Sequence, residues 1–209
     1  MGRIISQGAE ALIEERKEGI VKKRISKSYR IKEIDEKIRK LRTRSEAKIL
    51  EKAGRVIPAP RVLKVDENSK EIVMEKIDGE RLSDYLDKFP SEKQKEICEL
   101  VGKNIAKLHH ESIIHGDLTP SNMILAGNKG ETKIYLIDFG LGFISMKIED
   151  KAVDLHLLKE ALEAGFSANW KALFNSVRSG YEADYSSESH KVLERLEAVE
   201  KRGRYKQGS

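Results

Sequence analysis

The chain has 209 residues, 39% hydrophobic and 36% charged, with a formal net charge of +5 and a pI near 9.1. That length carries one sizeable domain or two small lobes, and the basic balance favours acidic partners (nucleotide, RNA or an acidic protein face) without choosing among them. The only cysteine, Cys98, excludes an internal disulfide, the histidines make no zinc spacing with it, no apolar run approaches the ~20 residues of a bilayer span, and the start is not a signal peptide, so a cytoplasmic chain without membrane contact is expected.

Residues 1–25 read as three short strands: Arg3-Ile4-Ile5, then Leu12-Ile13 entered through the turn Gln7–Ala11, then Gly19–Ile25. Alternation sends Lys22 and Lys23 to opposite faces, so only one of them points inward. After the polar, basic run Ser26–Ile31, a long helix is expected from an N-cap at Asp35 to a C′ glycine at Gly54. Ile34, Ile38, Leu41, Ser45 and Ile49 give its stripe. Glu33, Glu36, Glu46 and Glu51 lie on it, Glu46 on or beside the stripe and away from the ends. Its cations Lys37, Arg39, Lys40, Arg42 and Arg44, with Lys27 and Arg30, form either a solvated face or an RNA-facing patch.

Pro58 and Pro60 break the chain, Arg61–Val65 and Glu71–Ile77 read as strands, and Asp78-Gly79 leaves the first lobe. Leu82–Phe89 is a short helix. Ser91 with Gln94 fits a capping box that opens a helix running to His110. That helix buries Ile97, Val101, Ile105 and Leu108, with Cys98 packed on its flank. Further helices are expected over Asp150–Ala164, Ala168–Gly180 and Ser187–Lys201, followed by a loose basic tail, Arg202–Ser209.

The stretch Ile113–Gly140 carries the chemistry. Asp117 and Asn122 lie in His115-Gly116-Asp117-Leu118-Thr119-Pro120-Ser121-Asn122, and Asp138-Phe139-Gly140 follows two apolar runs, Met123–Leu125 and Ile134–Ile137. Gly127-Asn128-Lys129-Gly130 joins those runs as a hairpin turn. Antiparallel pairing then brings Asn122 and Asp138 together. Hard cations such as Mg²⁺ take oxygen ligands and keep positions for water and phosphate, which suits Asn122 and Asp138. Asp117 can orient a hydroxyl or a water for attack on phosphorus. His115 reads as a structural, hydrogen-bonded residue rather than a base.

This D-x-x-x-x-N run followed by D-F-G resembles the protein kinase superfamily. The resemblance implies an α+β, minimal two-lobed kinase-like fold with a truncated C-lobe: an N-lobe over residues 1–77, a mainly helical C-lobe over 78–201 and a basic tail over 202–209. It implies ATP with Mg²⁺, or Mn²⁺, as cofactors. It makes Lys22 the strand lysine that reaches the phosphates and Glu46 the helix glutamate that holds it. Gly8 becomes the phosphate-covering glycine, although the full G-x-G-x-x-G is missing. Glu75, Lys76 and Ile77 become the backbone hinge for adenine, with Met74 behind it, and Asp154 a brace for the catalytic loop. The chain departs from common kinases at Gly116, where they carry arginine, at Thr119, where many carry lysine, and after Gly140, where a long activation segment is absent.

These departures are similar to the small atypical Rio-like kinases, and more closely to the kinase subunit of the KEOPS complex. Gln7–Ala11, Lys22-Lys23-Arg24, Tyr29-Arg30, Arg42–Ala47, His115–Asn122, Asp138–Leu141 and Arg202-Gly203-Arg204 carry that likeness. It implies ATPase or Ser/Thr kinase activity, with autophosphorylation, in support of threonylcarbamoyl-adenosine formation in tRNA. The implied partners are the tRNA threonylcarbamoyl-transferase subunit, a small subunit on the N-lobe, and tRNA through the basic surface and tail. Two other classes compete: a nucleotide-binding scaffold without obligatory turnover, and a small-molecule phosphotransferase, for whose substrate the short C-lobe leaves little room.

Overall fold

The computed structural model describes residues 2–127, 132–183 and 187–206. Strands β1 (Arg3–Gln7), β2 (Ala11–Arg16) and β3 (Gly19–Arg24) come first, then helix α1 (Lys32–Ala53), β4 (Val62–Asp66) and β5 (Glu71–Met74). The strands form one antiparallel sheet in the order β1-β2-β3-β5-β4. β3 is central, and its alternation sets the later chemistry. Lys22 lies opposite Ile13 on one side and Ile72 on the other, and is only 7% exposed. Lys23 points to the other face and pairs with Glu71 at 3.2 Å.

Helix α1 differs from its sequence reading in three ways. It starts at Lys32, behind Ile31, so Asp35 is no cap. The Asp35 carboxylate is instead buried and receives Arg39 Nε at 2.7 Å and Ser26 Oγ at 3.1 Å. Gly54 closes the helix in right-handed backbone (φ −63°), its N–H donating to Leu50, so no left-handed glycine is used. The expected stripe holds only near the C-terminal end. Ile49, Leu50 and Ala53 are buried against the sheet side, while Ile34 and Leu41 stand about half exposed.

Beyond the sheet come β6 (Glu80–Arg81), α2 (Leu82–Tyr85) with a 3₁₀ turn over Leu86–Lys88, α3 (Ser91–His110), β7 (Ile113–Ile114), β8 (Met123–Ala126), β9 (Lys133–Leu136), β10 (Phe143–Ile144), α4 (Ile148–Gly165), α5 (Trp170–Glu182) and α6 (Ser187–Lys206). The expected capping box is not formed. Pro90 precedes α3, and the Gln94 amide donates to the Phe89 carbonyl while its Oε1 receives Asn169 Nδ2, tying α3 to the start of α5. Helix α6 continues to Lys206, so the tail expected to be loose from Arg202 is helical there; residues 207–209 lie outside the described residues.

β8 and β9 pair with Met123 opposite Leu136 and Ala126 opposite Lys133. The expected turn falls mostly on residues 128–131, outside the described residues. One continuous core runs from Leu50 and Ile72 through Leu108, Met123 and Phe139 to Leu158, Val177 and Leu196. It fixes the sheet to the helices and so fixes the cleft between them. Among the described residues no helix is long and apolar enough to cross a membrane.

Candidate active site

A cleft of about 370 Å³ opens between the sheet and β8. Ile13, Ile20, Leu50, Met74 and Ile137 give it apolar walls, and Glu75, Lys76 and Ile77 line one edge. Lys22, Glu46, Asn122 and Asp138 bring its polar groups. Such a cavity suits a flat ring at the apolar end and an anion at the other.

Lys22 Nζ donates to Glu46 Oε1 at 2.7 Å and to Asp138 Oδ1 at 2.5 Å. Burial alone would lower the Lys22 pKa, but the Glu46 and Asp138 charges and their hydrogen bonds outweigh it and hold the ammonium above its ordinary value. Asp138 mirrors this. Burial pushes it up, yet the Lys22 charge and hydrogen bond, helped by the Gly140 N–H at 3.1 Å, bring it below the usual carboxylate range. Asp138 sits in left-handed backbone at φ +62°, which aspartate tolerates better than most residues. That kink swings its carboxylate off β9 and toward the sheet.

The loop leading to Asn122 is pinned by its own donors. Asn122 Nδ2 donates to Asp117 Oδ2 at 2.9 Å and to the Asp117 carbonyl at 3.0 Å. The Asn122 carbonyl receives the Ile137 N–H at 2.9 Å, which carries the β8–β9 register to the edge of Asp138. His115 is fully buried. Its Nε2 meets the Ile137 carbonyl at 3.0 Å and its Nδ1 meets the Asp117 N–H at 3.3 Å. A carbonyl only accepts and an amide N–H only donates, so the ring is neutral with the proton on Nε2. Burial accordingly depresses its pKa. The expectation of a structural histidine is met by these contacts.

Asp154 on α4 is buried and accepts the backbone N–H groups of His115 and Gly116, each at 2.8 Å, together with His109 Nε2 at 3.2 Å. It braces the loop ahead of Asp117.

Of the residues expected from sequence, Lys22, Glu46, Glu75, Ile77, Asn122 and Asp138 line the cleft, and Asp117 is tied to Asn122 beside it. Gly8 is not among the residues that line the cleft. Its N–H is spent on the Ala11 carbonyl at 3.0 Å, it is exposed, and Ile5 and Ser6 line the cleft from β1 in its place. Arg24, which the sequence offers only as part of the run Lys22-Lys23-Arg24, also belongs to the site. Its Nη2 donates to the second Glu46 oxygen at 2.6 Å, and the signal was the two-residue spacing from Lys22, which puts both on one strand face.

The donor set suits a divalent cation bound together with phosphate. Asn122 makes both of its contacts through Nδ2, which leaves Oδ1 as a ligand atom. Asp138 makes its contacts through Oδ1, which leaves Oδ2. Among the described residues no three His, Cys, Asp or Glu side chains form a metal cage. Two oxygens with phosphate and water completing the shell is the arrangement Mg²⁺ uses.

The chain is similar to known proteins in sequence and in fold. The model of the protein kinase domain matches residues 6–154. The chain is 43% identical to the KEOPS complex subunit Bud32 of Pyrococcus abyssi, across 99% of this chain and 98% of that protein. It is also 43% identical to a probable serine/threonine-protein kinase BUD32 homolog of Archaeoglobus fulgidus, across 95% and 94%. A probable bifunctional tRNA threonylcarbamoyladenosine biosynthesis protein of Methanobrevibacter smithii is 41% identical, across 97% of this chain but only 36% of that longer one. Among solved structures, the Rio2 kinase-ADP/Mg²⁺-phosphoaspartate complex from Chaetomium thermophilum is similar in fold, with a TM-score of 0.62 and 17% identity over 98% of this chain and 70% of that one.

Proposed function

The chain belongs to the protein kinase family and, within it, to the Bud32 group, and we propose that its cleft transfers the γ-phosphoryl group of ATP to water or to a protein hydroxyl. The observation that carries this is the Lys22 contact at 2.7 Å to Glu46 and 2.5 Å to Asp138, made between the sheet, α1 and the D-F-G turn. In this reading the hinge at residues 75–79 divides an N-lobe from a C-lobe. Adenine lies against Met74 between the lobes. The Glu75 N–H is spent on the Arg61 carbonyl at 2.9 Å, so the Glu75 carbonyl and the Ile77 backbone are the groups offered to the base. Lys22 contacts phosphate, steadied by Glu46. Asn122 and Asp138 would hold Mg²⁺, or Mn²⁺, which would neutralise charge on the phosphates when bound. Asp117, held by Asn122, orients the attacking oxygen. Phosphoryl transfer depends mainly on such positioning and charge stabilisation.

The relatives' names extend the proposal. One relative is a KEOPS subunit, and others carry a region like this chain inside a longer tRNA threonylcarbamoyladenosine biosynthesis protein. This supports work beside a threonylcarbamoyl-transferase subunit in tRNA modification. Tyr29, Ile31, Ile34 and Leu41 stand exposed on the N-lobe, a surface for a small subunit. A direct tRNA contact through α1 has less support, because Arg39, Lys40, Arg42 and Arg44 each hold a carboxylate.

The test is turnover of γ-labelled ATP by the purified chain, alone and with the transferase subunit, following free phosphate and protein-bound label separately. Label in either product supports the proposal. ATP bound but never cleaved in both settings would leave the scaffold reading.

A further inference from the structure

We propose that Arg24 is a positioning residue for phosphoryl transfer: it occupies one oxygen of Glu46 so that the other holds Lys22 in place without any phosphorylated loop. This deepens the reading of the cleft as an ATP site and rests on it.

The geometry is a short chain of charges. Arg24 Nη2 meets Glu46 Oε2 at 2.6 Å, Glu46 Oε1 meets Lys22 Nζ at 2.7 Å, and Lys22 Nζ meets Asp138 Oδ1 at 2.5 Å. Arg24, Glu46 and Lys22 have side chains only 4%, 2% and 8% exposed, so water screens the first two links little. Two cations and two carboxylates balance. Without Arg24 the lone Lys22 would face two carboxylates, and the cluster would carry an excess negative charge next to the site of phosphate. With Arg24 present, Glu46 is satisfied from both sides, and Lys22 keeps charge to offer an anion.

Cost points the same way. Arg24 Nε is buried without a hydrogen-bond partner among the described residues. Burying a guanidinium with one N–H unpaired is expensive and calls for an explanation. An apolar side chain would pack at this position of β3 at lower cost. Arg24 is also next to the D-F-G turn: a Cβ built on Gly140 would stand 3.2 Å from Lys22 Nζ and 3.5 Å from Arg24 Nη2. The turn therefore packs on both cations together. In common kinases an arginine ahead of the catalytic aspartate reads a phosphorylated loop. Gly116 stands there in this chain, so the Lys22–Glu46 pair must be held from elsewhere.

The experiment is steady-state ATP turnover by the full chain and its Arg24→Met, Arg24→Lys and Glu46→Gln variants, singly and combined. Arg24→Met should raise the KM for MgATP and lower kcat/KM by roughly 10–100-fold, the range for groups that act by orienting another ligand. Arg24→Lys should recover part of both. In the Glu46→Gln background, Arg24→Met should change kcat/KM by less than about twofold, because the residue it acts through is already disabled. Merely losing folded protein would lower kcat and leave KM alone; that result, or losses that multiply in the double variant, would overturn the proposal. If Arg24→Met does not fold, Arg24→Lys carries the test. A KM raised in the wild-type background but not with Glu46→Gln supports it, and a KM unchanged or raised equally in both overturns it. If the wild-type chain itself turns over no ATP, the functional reading fails. Arg24 is then judged from crystal structures of the wild-type and Arg24→Met chains: a lost Lys22–Glu46 contact supports the positioning role, a retained one removes it.

Discussion

Asp154 Oδ1 accepts the backbone N–H of Gly116 at 2.8 Å, and so a helix carboxylate sets the path of the chain into Asp117. Its other oxygen is occupied by the His115 N–H and His109 Nε2, and the group is 1% exposed. The His109 and His115 donors are buried and have no water to turn to. Asp154→Asn puts an amide N–H against one of them. The expected loss is ~1–3 kcal/mol, the cost of a buried donor left unpaired, read from urea unfolding. A stability unchanged from wild type would mean that the loop is held by its other contacts.

Gly116 itself admits no side chain. It has φ +78°, and a Cβ there would lie 2.5 Å from the Leu141 carbonyl oxygen. The arginine of common kinases therefore cannot be grafted onto this backbone. Gly116→Ala should cost at least ~1–3 kcal/mol from backbone strain alone, lowering the thermal midpoint, and should slow turnover by displacing Asp117. An unshifted melt would show that the segment after Gly140 gives way freely.

Much of this arrangement was legible in the residues, for reasons that are local. Strand alternation, a period of two along the chain, separates Lys22 from Lys23, and two apolar runs joined by turn residues bring Asn122 toward Asp138. Helix α3 runs from Ser91 to His110 as its sequence reads, but the caps of α1 and α3 differ from the reading because Asp35 and Gln94 have better offers. Asp35 turned to Arg39 and Ser26, and Gln94 to Asn169, partners distant or unremarkable in sequence. Ile34 and Leu41 keep helical spacing yet stay exposed, since periodicity records one face of a helix and not whether this chain covers it. The Gly8 N–H closes a turn onto Ala11, a backbone contact that residue types alone do not announce.

Asp117 and Asn122 can be separated by experiment. Asp117→Ala removes the group proposed to orient the attacking oxygen and leaves the cleft walls intact. Turnover should fall by ~10²–10⁴-fold, the usual worth of a positioned acid or base, with MgATP affinity by calorimetry nearly unchanged. Asn122→Ala removes both the partner of Asp117 and a proposed cation ligand, so it should also raise the Mg²⁺ concentration needed for half-maximal rate. Wild-type hydrolysis in Asp117→Ala would remove Asp117 from the mechanism.

His115 makes stability depend on pH with a definite sign. Buried and neutral in the folded chain, its pKa lies below the ordinary histidine value, whereas the unfolded chain titrates normally. Below about pH 6.5 the unfolded state takes up a proton that the folded state refuses, so stability falls as pH falls, by at most ~1.4 kcal/mol per pH unit for this group. The fall ends only below the depressed folded-state value. His115→Gln keeps an amide donor for the Ile137 carbonyl and cannot titrate. Its unfolding free energy should therefore decline less steeply than wild type between pH 7.5 and pH 5.5. Parallel slopes would place the proton uptake on another residue.

Cys98 offers a probe of the helical core. It is 2% exposed on α3, and burial pushes its thiol up to about 12. At pH 8 only roughly one thiol in ten thousand is then ionised in the folded chain. A disulfide reagent should react no faster than the chain opens, and at once beyond the urea midpoint, with one thiol per chain. MgATP should slow the native reaction further, because a ligand bound only by the folded state lowers the open population in proportion to its saturation. Labelling at the rate of a free thiol would mean that α3 lifts from the core. Labelling that ignores saturating MgATP would mean that opening at Cys98 leaves the nucleotide cleft intact.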